Sequence, residues 1–178
     1  MDGLVEYTIP VKGLGSGMHQ FDFQVGRSFF DCFENSPVTD GDIDLTLFFD
    51  KRSDMYILQF DFKGTVKAEC DRCLEEIDLP IADSQQLLVK FSQTPERDEA
   101  EVVFIHPETQ ELNVAQFVYE FICLALPLIK TYDCENDENR VCNEEMLAYL
   151  DQAETTETDD PTESNPIWDD LKNLDIEN

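Results

Sequence analysis

Tyr56-Ile57-Leu58-Gln59-Phe60-Asp61-Phe62-Lys63-Gly64-Thr65-Val66-Lys67-Ala68-Glu69-Cys70-Asp71-Arg72-Cys73 is the stretch that decides how this chain folds. Tyr56, Leu58, Phe60, Phe62, Val66 and Ala68 all fall at even positions. Side chains two residues apart share one face of a β-strand, so this spacing predicts a long strand with one apolar and one polar side. Gly64 interrupts the row, and a glycine inside a long strand marks a bulge or bend. The even register runs on to Cys70, which therefore shares a face with the aromatic row.

The same alternation extends outward in both directions. His19-Gln20-Phe21-Asp22-Phe23-Gln24-Val25 and Asp42-Ile43-Asp44-Leu45-Thr46-Leu47-Phe48-Phe49 read as half-buried strands, and Asp50-Lys51-Arg52-Ser53 as a polar turn. Beyond Cys73, Ile77, Leu79 and Ile81 are followed by Leu87, Val89 and Phe91, with Asp83-Ser84-Gln85-Gln86 separating them into two segments. Thr94 to Asp98 reads as a polar loop, and Glu101 to Ile105 as a short strand. This succession implies an α+β fold built on an antiparallel β meander, curled enough to be partly barrel-like.

The period then changes. Val114, Phe117, Val118, Phe121, Ile122 and Ala125 recur at the spacing of one helix face, with Asn113 as N-cap and Pro127 as the stop, which predicts a helix over about 113–126 that packs on the sheet. A shorter helix is expected over Asn143–Leu150. Residues 1–150 thus form the domain, and residues 151–178 an acidic tail, expected to be largely disordered, with ten acidic residues against one lysine. The tail ends in Pro166-Ile167-Trp168-Asp169-Asp170-Leu171-Lys172-Asn173-Leu174, where amphipathic character returns. There is no internal repeat.

Charge narrows the function. The 178 residues carry a formal charge of −28, with a pI near 4.1. Such a surface repels phosphate backbones, so binding of naked RNA is not expected, whereas a basic protein is an electrostatically favourable partner. The acidic start, Met1-Asp2-Gly3-Leu4-Val5-Glu6, does not look like a secretion signal, and the apolar run from Phe121 to Leu126 is far shorter than the ~20 residues that span a bilayer. A cytoplasmic location without membrane contact is the expectation, and the six cysteines then belong to a reducing compartment.

Cys70-Asp71-Arg72-Cys73 is the sharpest local signal. Two thiols two residues apart on a strand–turn–strand suit a zinc knuckle, which supplies half of a tetrahedral thiolate site. Cys134 and Cys142, after the helix, could supply the other half around one zinc ion. Their spacing of seven intervening residues is wide for such a pair, and no glycine follows Cys73, so structural or free thiols are the competing reading. A redox pair is a weaker alternative, because thioredoxin-like activation places the first cysteine at a helix start in a βαβ frame. Cys32 and Cys123 lack partners at ligand spacing. His19 is read as alternating outward from Phe21 and Phe23, and His106 sits before Pro107 at a strand end. With no nucleophile elbow, phosphate-binding loop or metalloprotease motif, an enzyme is not expected. Arg72 either contacts a partner's phosphate or carboxylate or pairs with a neighbouring acid. Trp168 and Leu171, with Leu174, form a short motif that binds a partner or docks back on its own domain.

Taken together, Cys70-Asp71-Arg72-Cys73-Leu74-Glu75, Glu120 followed by Leu124-Ala125-Leu126-Pro127, Cys142-Asn143-Glu144-Glu145-Met146 and Pro166-Ile167-Trp168-Asp169-Asp170-Leu171-Lys172 resemble the YceD family, the large ribosomal RNA subunit accumulation proteins. The resemblance implies a small acidic cytosolic protein that supports large-subunit ribosomal RNA levels, in a family described as metal- and nucleic-acid-binding. It matches Cys70, Cys73 and Cys142 to family cysteines, with Cys134 the natural fourth. Relatives often carry a His soon after the helix-ending proline, where this chain has Lys130-Thr131-Tyr132. The expected role is a non-enzymatic factor in ribosome biogenesis that holds a basic ribosomal protein or a pre-ribosomal particle. The alternative is a zinc-stabilised adaptor unconnected with ribosomes.

Overall fold

The structure, a computed structural model, describes residues 2–94, 102–132 and 142–156. A 3-10 turn over Asp2–Tyr7 leads into β1 (Thr8–Ile9), followed by β2 (Gly17–Gly26), a one-turn helix α1 (Arg27–Phe30), β3 (Asp40–Lys51), β4 (Met55–Glu69) and β5 (Glu76–Phe91). β6 (Val102–Ile105), β7 (Leu112–Asn113), α2 (Ala115–Leu124) and α3 (Glu144–Thr156) complete the described chain. The fold is α+β, mostly strands with few helices.

β2 to β6 form one sheet in sequence order, and the predicted meander holds from β2 to β5, each pair antiparallel. Two expectations are corrected. β6 joins β5 in parallel, with Val89 opposite Val103, so the meander ends there. The sheet is also not closed into a barrel, since β2 and β6 remain as edges. Its inner face is covered by α2 and by aromatic side chains of the N-terminal third, so the core fills without strands folding over one another. Phe121 of α2 packs edge-on against Phe60 with ring centroids 5.2 Å apart, and Tyr7, Phe29 and Phe30 are fully buried.

β5 is a single strand rather than two. Asp83 and Gln85 stay paired opposite Phe62 and Phe60, so the polar stretch interrupts hydrophobicity without interrupting the hydrogen-bond ladder. Gly64 is a point of close approach: a Cβ there would stand 2.2 Å from the Asp42 carbonyl oxygen and 2.6 Å from Ile43 Cα. Only glycine lets β3 and β4 come so near at this point.

The helices follow the sequence closely. Val118, Phe121 and Ile122 of the predicted face are buried in α2 together with Ala115, while Phe117 is partly buried against the core. Asn113 lies in β7, one residue before the helix boundary, yet its Oδ1 accepts the Ala115 N–H at 3.0 Å and so serves the capping function. A miniature sheet, β1 with β7, ties the start of the chain to this helix entry. α3 begins where expected, with Asn143 Oδ1 accepting the Met146 N–H, but runs to Thr156. Acidic residues in its first turn favour the helix dipole, and the following Asp151-Gln152-Ala153-Glu154 includes good helix formers, so 151–156 is helical where disorder was expected. Residues 157–178 lie outside the described residues, as do Cys134, Trp168, Leu171 and Leu174. Among the described residues no helix is long and apolar enough to cross a membrane.

Candidate functional site

The Cys70–Cys73 turn is built by the β4-to-β5 reversal. The Cys70 N–H donates to the Glu75 carbonyl at 2.8 Å, and the Leu74 N–H to the Cys70 carbonyl at 2.9 Å. Leu74 takes a φ of +61°, the left-handed conformation that normally favours glycine. The glycine missing after Cys73 is thus replaced by a leucine held in the same backbone shape.

Both thiols are buried, as the even register of β4 predicts for Cys70. Burial pushes the Cys70 thiol up, but the backbone N–H groups of Cys73, Arg72 and Tyr132, with the Cys73 thiol, outweigh it and hold it below its ordinary value. N–H groups converging on a cysteine sulfur stabilise a thiolate, the form that binds metal. The turn is strapped to the segment after α2. The Asp71 N–H donates to the Lys130 carbonyl, the Lys130 N–H donates to Asp71 Oδ2, both at 2.7 Å, and Lys130 Nζ lies 3.4 Å from Asp71 Oδ1. Lys130 is therefore a brace for the turn.

The rest of the expected ligand set is not assembled among the described residues. Cys142 is buried and disulfide-bonded, and no group of three or more His, Cys, Asp or Glu among the described residues is placed to hold a metal ion. Cys70 and Cys73 fit two positions of a thiolate site; Cys134 lies outside the described residues. Cys32 is exposed, and burial pushes the half-buried Cys123 thiol up, away from reactivity. His19 shares the half-buried face of Phe21, not the opposite one, and its Nε2 lies 2.9 Å from the Gly15 carbonyl, which accounts for its polarity without chemistry. Arg72 is exposed and makes no ion pair among the described residues, so the neighbouring-acid pairing weighed for it is not seen there.

A second surface escaped the sequence reading. On the outer face of the sheet Asp22, Thr46, Asp61 and Ser84 stand directly opposite one another on four successive strands. Thr46 Oγ1 donates to Asp22 at 2.9 Å and Ser84 Oγ to Asp61 at 2.6 Å, while Gln20 and Gln59 add their amides. The bonds from Gln20 and Thr46 hold the Asp22 carboxyl below the usual carboxylate range. Beside this row Asp44, Lys63 and Asp83 help to line a shallow cavity of about 510 Å³. Alternation put Asp22, Asp44, Thr46 and Asp61 on the outward side of their strands, but Ser84 fell in a stretch read as a break, and the cross-strand register that lines them up is not readable from one strand at a time.

No curated protein and no solved structure gives a significant match to the chain. The model of the family described as large ribosomal RNA subunit accumulation protein YceD matches residues 58–175, which is more than half of the chain and takes in the Cys70–Cys73 turn, α2, α3 and the tail motif. By this match the chain belongs to the YceD family, whose name ties it in general terms to the large ribosomal subunit.

Proposed function

We propose that this protein is a non-enzymatic factor that supports accumulation of large-subunit ribosomal RNA by holding a basic ribosomal protein or an assembly intermediate. The observation that carries this reading is the carboxylate row across the outer sheet face, Asp22 and Asp61 with Asp44 beside them, on a chain of net charge −28. Hydroxyls and amides preorganise Asp22 and Asp61, so lysine and arginine side chains meet acceptors already in position. The interaction is electrostatic and weakens with salt, and naked RNA is repelled by the same field. A pull-down with the full chain is the test. Ribosomal proteins or a precursor of the large subunit are expected in the eluate, and their recovery falls several-fold for the Asp22→Asn/Asp44→Asn/Asp61→Asn variant. An eluate free of both would sink the proposal, and so would tight binding of protein-free ribosomal RNA.

A second reading is favoured by one feature, the N–H groups gathered on Cys70 within a tight turn that also buries Cys73. In this reading the protein is a zinc-stabilised adaptor, with Cys70 and Cys73 holding one zinc ion together with Cys134 and Cys142 in their reduced forms. Zinc there would pin the segment after α2 to the sheet and supply structure rather than chemistry. Metal analysis of chain purified under reducing conditions without chelator is expected to find about one zinc per chain, lost on Cys70→Ser. A metal-free parent protein would remove this reading.

A further inference from the structure

Four of the seven large apolar side chains left exposed among the described residues belong to one junction, formed by Leu74 at the end of the Cys70–Cys73 turn, Leu124 at the end of α2, and Leu128 and Ile129 of the segment strapped to the turn. Leu124 is 73% exposed, Leu128 fully so, Ile129 72% and Leu74 54%. Pro127 is exposed between them. The backbone here is not loose, because Asp71 and Lys130 clamp the turn to the loop through two 2.7 Å hydrogen bonds and an ion pair. A rigid backbone that presents this many leucine and isoleucine side chains to water marks a surface that is covered in use.

Cations lie in the same place. Arg72, on the turn itself, is exposed and makes no ion pair among the described residues, and Lys130 follows Ile129. A complementary occupant is apolar along one edge and acidic beside it.

We infer that this surface is the docking site of the chain's own C-terminal segment, residues 166–174. Trp168, Leu171 and Leu174 provide an apolar edge, and Asp169 and Asp170 bring the negative charge that Arg72 calls for, Lys130 being already paired with Asp71. Reach permits it. Eleven residues lie between Thr156, where α3 ends, and Trp168, a tether that extends to ~40 Å. That is about twice the length of α3 and about the width of a domain of this size. α3 itself is held to the body, since Cys142 just before it is buried and Leu147 packs on the core. The family match, which ends at residue 175, contains both the surface and the segment and omits β2 and β3. A short tether makes the docking intramolecular, so a modest contact is enough to keep it closed.

Trp168 is the only tryptophan of the chain, which makes its fluorescence a direct report on the segment. In the full-length protein its emission is expected at shorter wavelength than in a free peptide of residues 166–178, with acrylamide quenching several-fold slower. The Leu128→Asp/Ile129→Asp variant, altered only at exposed positions, is expected to return both properties to those of the peptide while circular dichroism stays unchanged. Arg72→Glu should do so in part, and none of these values should depend on protein concentration. Peptide-like emission from the parent chain overturns the inference. So does protected emission that survives Leu128→Asp/Ile129→Asp, or protection that disappears on dilution, which would assign the segment to a second copy.

Discussion

The two faces of the five-stranded sheet come from alternate residues of the same strands, β3, β4 and β5, and differ only in parity. On the inner face Leu47, Phe60 and Leu58 are fully buried, and the core they share with α2 extends through Val66 to Ala68 and Cys70. On the outer face the intervening positions carry Asp44, Thr46, Asp61 and Ser84, where Thr46 donates to Asp22 of β2 and Ser84 to Asp61. Burying a side chain the size of phenylalanine contributes about 1.5–3 kcal/mol, whereas exposed polar pairs contribute little. The inner face therefore accounts for stability and leaves the outer face free to be shaped by what it binds. A strand period of two keeps the tasks apart, because a change at one parity scarcely touches the other.

That division can be broken most severely from inside. Phe60→Ala removes a fully buried ring that packs on Phe121, and it is expected to cost about 3–5 kcal/mol of unfolding free energy in a denaturant titration. A loss under about 1 kcal/mol would mean that α2 does not rest on this ring. Gly64→Ala tests the one place where the two strands leave no room for a side chain at all. The added methyl meets the backbone of Asp42 and Ile43, so a loss of about 3 kcal/mol is expected, and a much smaller loss would show that β3 can move away. The smallest effect sharpens the comparison from the other side. Asp22→Asn/Asp44→Asn/Asp61→Asn is expected to leave the denaturation midpoint within error of the parent, even though partner recovery falls. Stability lost in step with binding would show that the two faces are not independent.

The same contrast sets what could be read before folding. Even-numbered Tyr56 through Ala68 announced a strand, its buried face and the inward direction of Cys70, because alternation is a local property of extended backbone. The α2 face was legible for the same reason at the helical period, as was the start of α3. Asp83 to Gln86 misled, since a polar stretch looks like a break when the partner strand that keeps it paired is out of view. Parallel addition of β6 was likewise hidden, because four residues of strand carry no sign of which neighbour they will join. At the candidate site the Cys70–Cys73 turn was visible as spacing, but its clamp by Lys130 was not, the two being far apart along the chain.

Composition and period by themselves determined the acidic character, the β-rich core, the main helix and the family motifs, all of which depend on identity and on neighbours a few residues away. Only the tertiary structure decided that the sheet stays open, that Leu74 adopts a glycine-like conformation, that Asp22, Thr46, Asp61 and Ser84 fall into one line, and that Leu124, Leu128 and Ile129 share a junction with Arg72. Each of these depends on register or on contacts between distant segments, which are set by the packing of the whole core rather than by any stretch of chain alone.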